Sequence, residues 1–227
     1  MTKSSAWTEE NPDNDGFIIK YNSAGARQWE KRIATPSNDA IDKVLISGSD
    51  IYAVGTTDGN LDNNSIDKQN DLFIAKFNSD GSQSWIHQEG SSGFEMLGGA
   101  ASDKYGSIYL AGTTNGSLNG LQNTGGKDVF IIKYNNGEQS WAQQFGTDRD
   151  DEATGIFVAN DGNVYIIGQT QGVLDGQSQN GSRDIFITKY SSDGIKLWTR
   201  LIGTPEEDYA ETVDVIGNEI CLLYTSD

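Results

Sequence analysis

Short runs of apolar residues follow one another along this chain, and clusters of Asn, Ser, Asp and Gly separate them. The stretch "DLFIAKFNSDGSQSW", which begins at Asp71, contains an apolar strand pattern up to Phe77, then a turn, and then a second run that closes on Trp85. Such a pattern with a turn of this composition is typical of a β-hairpin. Because no segment shows a 3.6-residue period, the pattern predicts an all-β protein and excludes a helical solenoid.

The hairpin recurs four times at a nearly constant spacing. Its first Asp lies at positions 15, 71, 128 and 184, so the steps are 56, 57 and 56 residues. A second strand pattern, "IYAVGTTDG" from Ile51, returns from Ile108 and Val164 and in altered form as "ICLLYTSD" from Ile220. The Trp that closes each hairpin keeps the same period, at Trp29, Trp85, Trp141 and Trp198. Repetition at a fixed period predicts a repeat architecture.

Each period holds four strand patterns, separated by turns such as "NNG" and "NDGN". In the strand from Asp128, Phe130 and Ile132 point to one face and Ile131 points to the other. Because both faces are apolar, each sheet is expected to lie between neighbouring sheets. Four antiparallel strands in a repeat of roughly this length are typical of a β-propeller blade.

The segment "DVFIIKYNNGEQSWAQQFGTDRDDEATGIFVANDGNVYIIGQTQG", from Asp128 to Gly172, resembles the bacterial SBBP-type β-propeller repeat. The shared features are an Asp-apolar-Phe strand ending in Lys-Tyr, a Gly turn to Trp, an acidic Gly loop, and Gly-Asn-Val-Tyr. The resemblance covers residues 15–227 in four copies, which we interpret as a single propeller domain after a lead-in at residues 1–14. It implies a β-propeller, usually in secreted or surface proteins of bacteria, and it fixes no activity.

By analogy with related propeller repeats, the strand near Glu152 is the innermost of its blade, and the Trp strand is the outermost. In this phase the chain begins with a third and a fourth strand, "DGFIIKY" and "ARQWEKR", and finishes with a first and a second, "AETVDVI" and "NEICLLYT". These halves predict either a closed four-bladed ring or part of a larger propeller. In the last copy, Cys221 and Tyr224 replace a Tyr and a Gly of the other copies, so this strand is expected to differ.

The chain has 33 acidic and 16 basic residues and a formal net charge of −17. Such a surface repels phosphates and anionic lipid, so no nucleic acid is expected as a partner, and a cation, protein or carbohydrate ligand stays open. The single cysteine excludes an internal disulfide. The first residues lack the apolar region of a signal peptide, and no stretch has the length of a membrane span, so membrane insertion is not expected. A secreted or surface location follows from the resemblance alone.

The acidic loop before each inner strand carries the first candidate site. A ring of carboxylates around a central channel would suit calcium, which prefers oxygen ligands. The alternative is that each carboxylate accepts hydrogen bonds within its own turn or pairs with a nearby Lys. The candidate ring, ten residues after each Trp, is Asp39, Glu95, Asp151 and Asp208. The less repetitive acids of these loops, Asp150, Glu206 and Glu207, are candidates for a specific ligand.

The long loop between the second and third strands carries a weaker candidate. It repeats the phrase "TDGNLD", "TNGSLN" and "TQGVLD", which is typical of a turn. The loop tips beyond the phrase differ between copies, as expected of a surface that binds selectively. Three residues of the phrase are weak candidates for a metal or sugar: Asp62, Asn119 and Asp175.

The remaining patterns favour scaffolding over catalysis. The four hairpin Trp residues are expected to pack between blades, and the hairpin Lys residues to bond within them. His87 is expected on a solvated strand position, and no catalytic triad can be assembled. We therefore predict a non-enzymatic binding, adhesion or scaffold module with an unknown ligand; in one version of this prediction, calcium stabilises the acidic loop face. The alternative is a carbohydrate-active hydrolase or lyase that uses carboxylates of the acidic face.

Overall fold

The computed structural model describes residues 13–62, 70–216 and 219–226, which form β-strands with one 3-10 turn at Leu118–Gly120. The N-terminal pair is β1 (Gly16–Tyr21) and β2 (Arg27–Ile33). The first sheet is β3 (Asp39–Ser47), β4 (Asp50–Thr57), β5 (Asp71–Phe77) and β6 (Gln83–Glu89). The second sheet is β7 (Glu95–Ser102), β8 (Ile108–Thr114), β9 (Asp128–Asn135) and β10 (Glu138–Phe145). The third sheet is β11 (Asp151–Val158), β12 (Val164–Thr170), β13 (Asp184–Tyr190) and β14 (Lys196–Ile202). The C-terminal pair is β15 (Asp208–Ile216) and β16 (Glu219–Ser226).

The strands of each four-stranded sheet lie side by side in chain order, and all neighbours are antiparallel. The predicted four-stranded unit is therefore confirmed, with the strand near Glu152 first and the Trp strand last. We call the first strand of each unit (β3, β7, β11 and β15) its inner strand. Each inner strand packs beside the next one along the chain. No helix in the described residues has the length and apolar character that crossing a bilayer requires.

The two central strands of each sheet are buried on both faces. In β9, Phe130 and Ile131 point to opposite sides and both are fully buried. One apolar cluster joins Leu72 and Ile74 of the first sheet to Phe130 of the second. The cores therefore lie between consecutive sheets, as the apolar residues on both strand faces predicted.

A glycine in the second strand of each sheet allows this close packing. A Cβ atom at Gly168 would lie 1.9 Å from the carbonyl oxygen of Glu152 and 2.6 Å from the ring of Phe186. Both neighbours are parts of paired strands, so neither can move away cheaply. At the equivalent positions, a Cβ atom would lie 1.8 Å from the carbonyl oxygen of Ala40 at Gly55 and 2.2 Å from that of Met96 at Gly112.

The hairpin Trp residues tie each unit to the turn of the next. Trp141 Nε1 donates to the carbonyl oxygen of Ser192 at 3.1 Å, and its ring lies over Gly194, whose φ is +79°. Lys133 Nζ donates to the same carbonyl oxygen at 2.9 Å. The N-terminal pair repeats the tie, with Trp29 and Lys20 donating to the carbonyl oxygen of Ser79.

One local prediction was right only in part, and another was wrong. The hairpin Lys residues were expected to bond within their own unit, and Lys76 does so with Asp50 at 2.7 Å, but Lys20 and Lys133 reach the next unit. His87 was expected in solvent, but it is half-buried between units, where its ring stacks on Trp85 at 4.8 Å and on Tyr134 at 6.1 Å. Its Nε2 lies 2.6 Å from the carbonyl oxygen of Gly137. Both errors have one cause, because these contacts depend on how consecutive sheets stack.

The two terminal pairs form separate two-stranded sheets in the described residues, so the four-stranded sheet that would close a ring is not formed. Tyr224 lies opposite Ala210, as Gly168 lies opposite Ala153 in the third sheet. In the third sheet, the ring of Phe186 from the neighbouring strand lies over Gly168. A third strand placed beside β16 in the same way would collide with the side chain of Tyr224. Tyr224 instead remains 43% exposed.

Candidate interaction face

The predicted carboxylate ring consists of four buried residues, one at the start of each inner strand. Thr147 donates to Asp151 Oδ2 twice, from its backbone N at 2.5 Å and from its Oγ1 at 2.8 Å. A Thr or Ser four residues earlier donates in the same way to each of the others, Asp39, Glu95 and Asp208. Each carboxylate therefore closes its own turn, which is the role that the sequence offered as the alternative to ion binding.

Glu95 has an unusual ionisation in this set. It is fully buried, and its pKa is raised from 4.5 to about 7 because burial outweighs the hydrogen bonds from Ser91 and Thr114. Burial also raises the pKa of Asp151. In the described residues, no three His, Cys, Asp or Glu side chains are grouped so that they could hold a metal ion. Ion or ligand binding by this ring stays a prediction.

The weak candidates in the long loops contact nearby strands. Asp62 Oδ2 accepts from the backbone N of Gln88 at 2.8 Å. Asp175, at φ +50°, accepts from Lys196 at 3.1 Å. Asn119, at φ +52°, donates to Glu89 and Gln139. These contacts tie the loops to the outer strands, and the three residues are not brought together.

A row of charged side chains joins three units on the same face. Lys127 precedes β9, and its Nζ lies 2.6 Å from Glu152 Oε1 in the next inner strand. Gln169 Nε2 donates to Glu152 Oε2 at 2.9 Å, and Arg183 Nη1 lies 3.9 Å from that oxygen. Burial raises the pKa of Glu152, but the hydrogen bonds from Lys127 and Gln169 and the nearby positive charges outweigh it, so the net shift is downward. Glu152 is therefore a carboxylate held between two cations.

Each cation of this row also lies over an aromatic ring. Lys127 Nζ is 6.0 Å from the ring centre of Phe94, and the guanidinium carbon of Arg183 is 5.2 Å from that of Tyr209. We call the five residues Phe94, Lys127, Glu152, Arg183 and Tyr209 the rim cluster. All five are partly exposed, and Arg183 Nε is a buried atom without a hydrogen-bond partner in the described residues.

The less repetitive acids lie beside the rim cluster. Asp150 Oδ1 accepts from the backbone N of Lys127 at 3.2 Å. Glu207 accepts from Ser182 and from the hydroxyl of Tyr209. Glu206 is exposed in the same loop. The structure thus places Asp150 and Glu207 in direct contact with rim-cluster residues, and whether they bind a ligand stays a prediction.

Sequence reasoning missed the rim cluster although a signal for it was present. The residue directly before each hairpin Asp changes from Asn to a basic residue along the chain: Asn14, Asn70, Lys127 and Arg183. The residue directly after each buried acid changes as well: Ala40, Met96, Glu152 and Tyr209. These variable positions lie directly beside the repeated acids, whereas the sequence prediction placed selective binding at the loop tips and the less repetitive acids.

Comparison with known proteins gives a family match over most of the chain. A family model described as outer membrane protein assembly factor BamB matches residues 12–219. The chain is also 27% identical over 101 residues to the regulatory protein FlaEY of Caulobacter vibrioides, which is 41% of this chain and 11% of that protein. The chain thus spans about a tenth of the length of this curated relative.

The predicted SBBP family is therefore wrong, although both families are related to β-propellers. The motifs that suggested it are scaffold features, such as the turn glycine that fits under a Trp ring at Gly194. Packing between sheets demands such residues, so different propeller repeats can share them.

Proposed function

The chain belongs to the family described as outer membrane protein assembly factor BamB, and from this premise we propose a non-enzymatic interaction scaffold of β-propeller type. Its partner is a protein, bound through the rim cluster on the loop face. The observation that carries the proposal is the row of paired charges and aromatic rings that joins Phe94 to Tyr209 across three units. A location outside the cytoplasm is part of the proposal and rests on the name of the family.

The rim cluster has the composition of a protein-binding hot spot. Arg and Tyr are enriched among residues that dominate binding energy, and large partly exposed rings add contact area with little loss of conformational entropy. Glu152 holds Lys127 in place, so part of the ordering cost is met before a partner arrives. The net charge of −17 would steer a partner with a basic surface toward this protein.

A hydrolase or lyase has less support. The two buried turn carboxyls with raised pKa values, Glu95 and Asp151, are the groups best poised for proton transfer, but both are fully buried. A substrate would have to break the turn to reach them. Calcium at the buried carboxylates is a separate hypothesis, and an unfolding midpoint that is the same with calcium and with EDTA would reject it.

For the terminal pairs, we propose that each is completed by further propeller strands. The support is that β1 and β16 each belong to a two-stranded sheet among the described residues, together with the side chain of Tyr224 at a position that is Gly in the complete sheets. This choice between the two predicted architectures rests on packing at one residue.

Photo-crosslinking tests the proposed face in cells that make the protein. A benzoylphenylalanine at position 209 is expected to give a defined adduct with one protein, and Arg183→Ala is expected to weaken it. The matched control is position 105, because Tyr105 is 79% exposed, lies 5.1 Å from Lys104 Nζ, and sits at the other end of the strands. The same adducts from both positions, or none from position 209, would reject the rim cluster as the interface.

A further inference from the structure

Every inner strand carries a β-bulge at the same repeat position. The pairing with the second strand skips one residue in each case, and these bulged residues are Asp42, Gly98, Thr154 and Glu211. A bulge re-aims side chains and is common beside functional sites. The scaffold repeats the bulge but not its chemistry, since the four positions carry two acids, a hydroxyl and a glycine.

Three of the four bulged residues, Gly98, Thr154 and Glu211, line one cavity of about 200 Å³, and Lys43, next to the fourth, completes the contribution of all four inner strands. Its walls include Lys43 of β3, Thr154 of β11 and Glu211 of β15, while Gly98 and Gly99 of β7 add no side chain. A Cβ atom at Gly98 would lie 2.3 Å from the carbonyl oxygen of Ala153, so β7 and β11 meet closely there. The cavity begins three residues along the inner strands from the buried acids, roughly 10 Å from them at about 3.3 Å per residue.

The polar groups of this cavity lack partners in the described part of the chain. Thr154 Oγ1 is shielded from solvent and has no hydrogen-bond partner there. Lys43 and Glu211 are exposed to solvent and take part in no ion pair among the described residues. Beside Lys43, burial raises the pKa of Asp42. A buried polar atom without a partner costs stability unless water or a ligand satisfies it.

The arrangement of charges selects the kind of ligand. Lys43 and Glu211 belong to β3 and β15, the first and last strands of the row, and Thr154 lies between them. A simple anion would pair with Lys43 and meet Glu211 unfavourably, and a simple cation would do the reverse. A cavity of this size has room for about six or seven waters, and hence for a small amino acid.

We propose that this cavity binds a small zwitterion of the α-amino acid type. The carboxylate of the ligand pairs with Lys43, its ammonium group pairs with Glu211, and Thr154 Oγ1 supplies or accepts one further hydrogen bond. The glycine wall of β7 leaves space for a short side chain. The site is independent of the rim cluster and of the protein partner proposed above.

Calorimetry with three related probes tests the proposal. L-Alanine carries both charges, L-alaninamide lacks the carboxylate, and N-acetyl-L-alanine lacks the ammonium group. We expect saturable binding of L-alanine with a Kd of about 1 mM or tighter, and at least about tenfold weaker binding of the other two. Equal binding of the three probes, or no saturable binding of L-alanine, would overturn the proposal.

Variants separate ligand contact from structural effects. Lys43→Gln and Glu211→Gln are each expected to weaken the binding of L-alanine about tenfold, and Lys104→Gln, in the turn between β7 and β8, should leave it unchanged. Thr154→Val keeps the shape of the side chain but removes the unpartnered hydroxyl. This variant is expected to weaken the binding of L-alanine while the midpoint of urea unfolding stays the same or rises. A loss of the fold would lower both the binding and the midpoint, so it cannot produce this result. Unchanged affinity in Lys43→Gln and Glu211→Gln would contradict the site.

Discussion

Among single residues, Glu95 makes stability depend on pH near neutrality. Its pKa in the folded protein is about 7, compared with 4.5 for an ordinary Glu, so the folded state binds more protons between these values. The free energy of unfolding therefore falls as pH rises from about 4.5 to 7, by about 2 to 3 kcal/mol for this group. Urea unfolding at the two pH values measures the fall.

Glu95→Gln is expected to remove this part of the pH dependence, because the amide keeps an acceptor for Ser91 and Thr114 and cannot ionise. Glu219→Gln, at an exposed position, is the control and should keep the wild-type dependence. Groups with a lowered pKa, such as Glu152 and Asp103, change the free energy of unfolding only below about pH 4.5, which is outside this window. The same slope in wild type and Glu95→Gln would show that Glu95 ionises normally.

Gly168 gives a second prediction for a single residue. An added methyl group would overlap the carbonyl oxygen of Glu152 and the ring of Phe186, so Gly168→Ala is expected to cost about 3 kcal/mol. Gly155→Ala in the same sheet is the control, because an added Cβ there would meet only side-chain atoms of Ile167, at 3.2 and 3.5 Å, and no backbone atom. Urea unfolding measures both, and a smaller loss at Gly168 than at Gly155 would refute the close-approach argument.

The sequence predicted some of these single-residue features and missed others. It located the buried acids, because Asp151 and its counterparts recur at one spacing, and it offered their turn-closing role as the alternative to ion binding. It could not find the pair of Lys127 and Glu152, whose partners lie 25 residues apart in different sheets. That contact depends on the stagger between sheets, which no periodicity within one strand encodes.

Among elements, the Trp ties between units differ in one testable way. Trp141 Nε1 donates to the carbonyl oxygen of Ser192, whereas at the preceding interface His87, not Trp85, contacts the carbonyl oxygen of Gly137. Trp141→Phe keeps an aromatic ring against the turn but removes the donor. It is expected to cost about 1 kcal/mol more than Trp85→Phe, the matched change without that hydrogen bond.

Thermal or urea unfolding of the two variants measures this difference. Equal losses of stability would show that ring area, and not the hydrogen bond, sets the strength of the tie.

The hairpin strands and the strand order were predictable because turn residues and β patterns are local signals. The ties were only partly predictable, since the Trp positions indicated packing but not the acceptor on the next unit.

For the whole molecule, the open question is whether the four inner strands, which line one cavity, can be closed into a ring by the terminal pairs. The register of the complete sheets sets Gly55 opposite Phe73, and the same register would set Tyr224 opposite Phe17. The sequence predicted the complementary halves and the altered residue. It could not decide between a ring and a longer array, because the steric effect of the Tyr224 side chain, where two strands would approach closely, outweighs the repeat pattern.

Tyr224→Gly is therefore expected to let β1 pair with β16. Hydrogen exchange at the amides of Gly16–Tyr21, the strand that would lie beside β16, should slow by about tenfold or more, with no change in mass by light scattering. Leu223→Gly is the control, because Leu223 is 60% exposed on the opposite face and its loss adds the same flexibility without clearing space for Phe17. Slower exchange in both variants would assign the effect to flexibility. Unchanged exchange in Tyr224→Gly would mean that the terminal pairs stay apart for a reason other than this side chain, and slower exchange with a doubled mass would mean that a second copy supplies the missing strands.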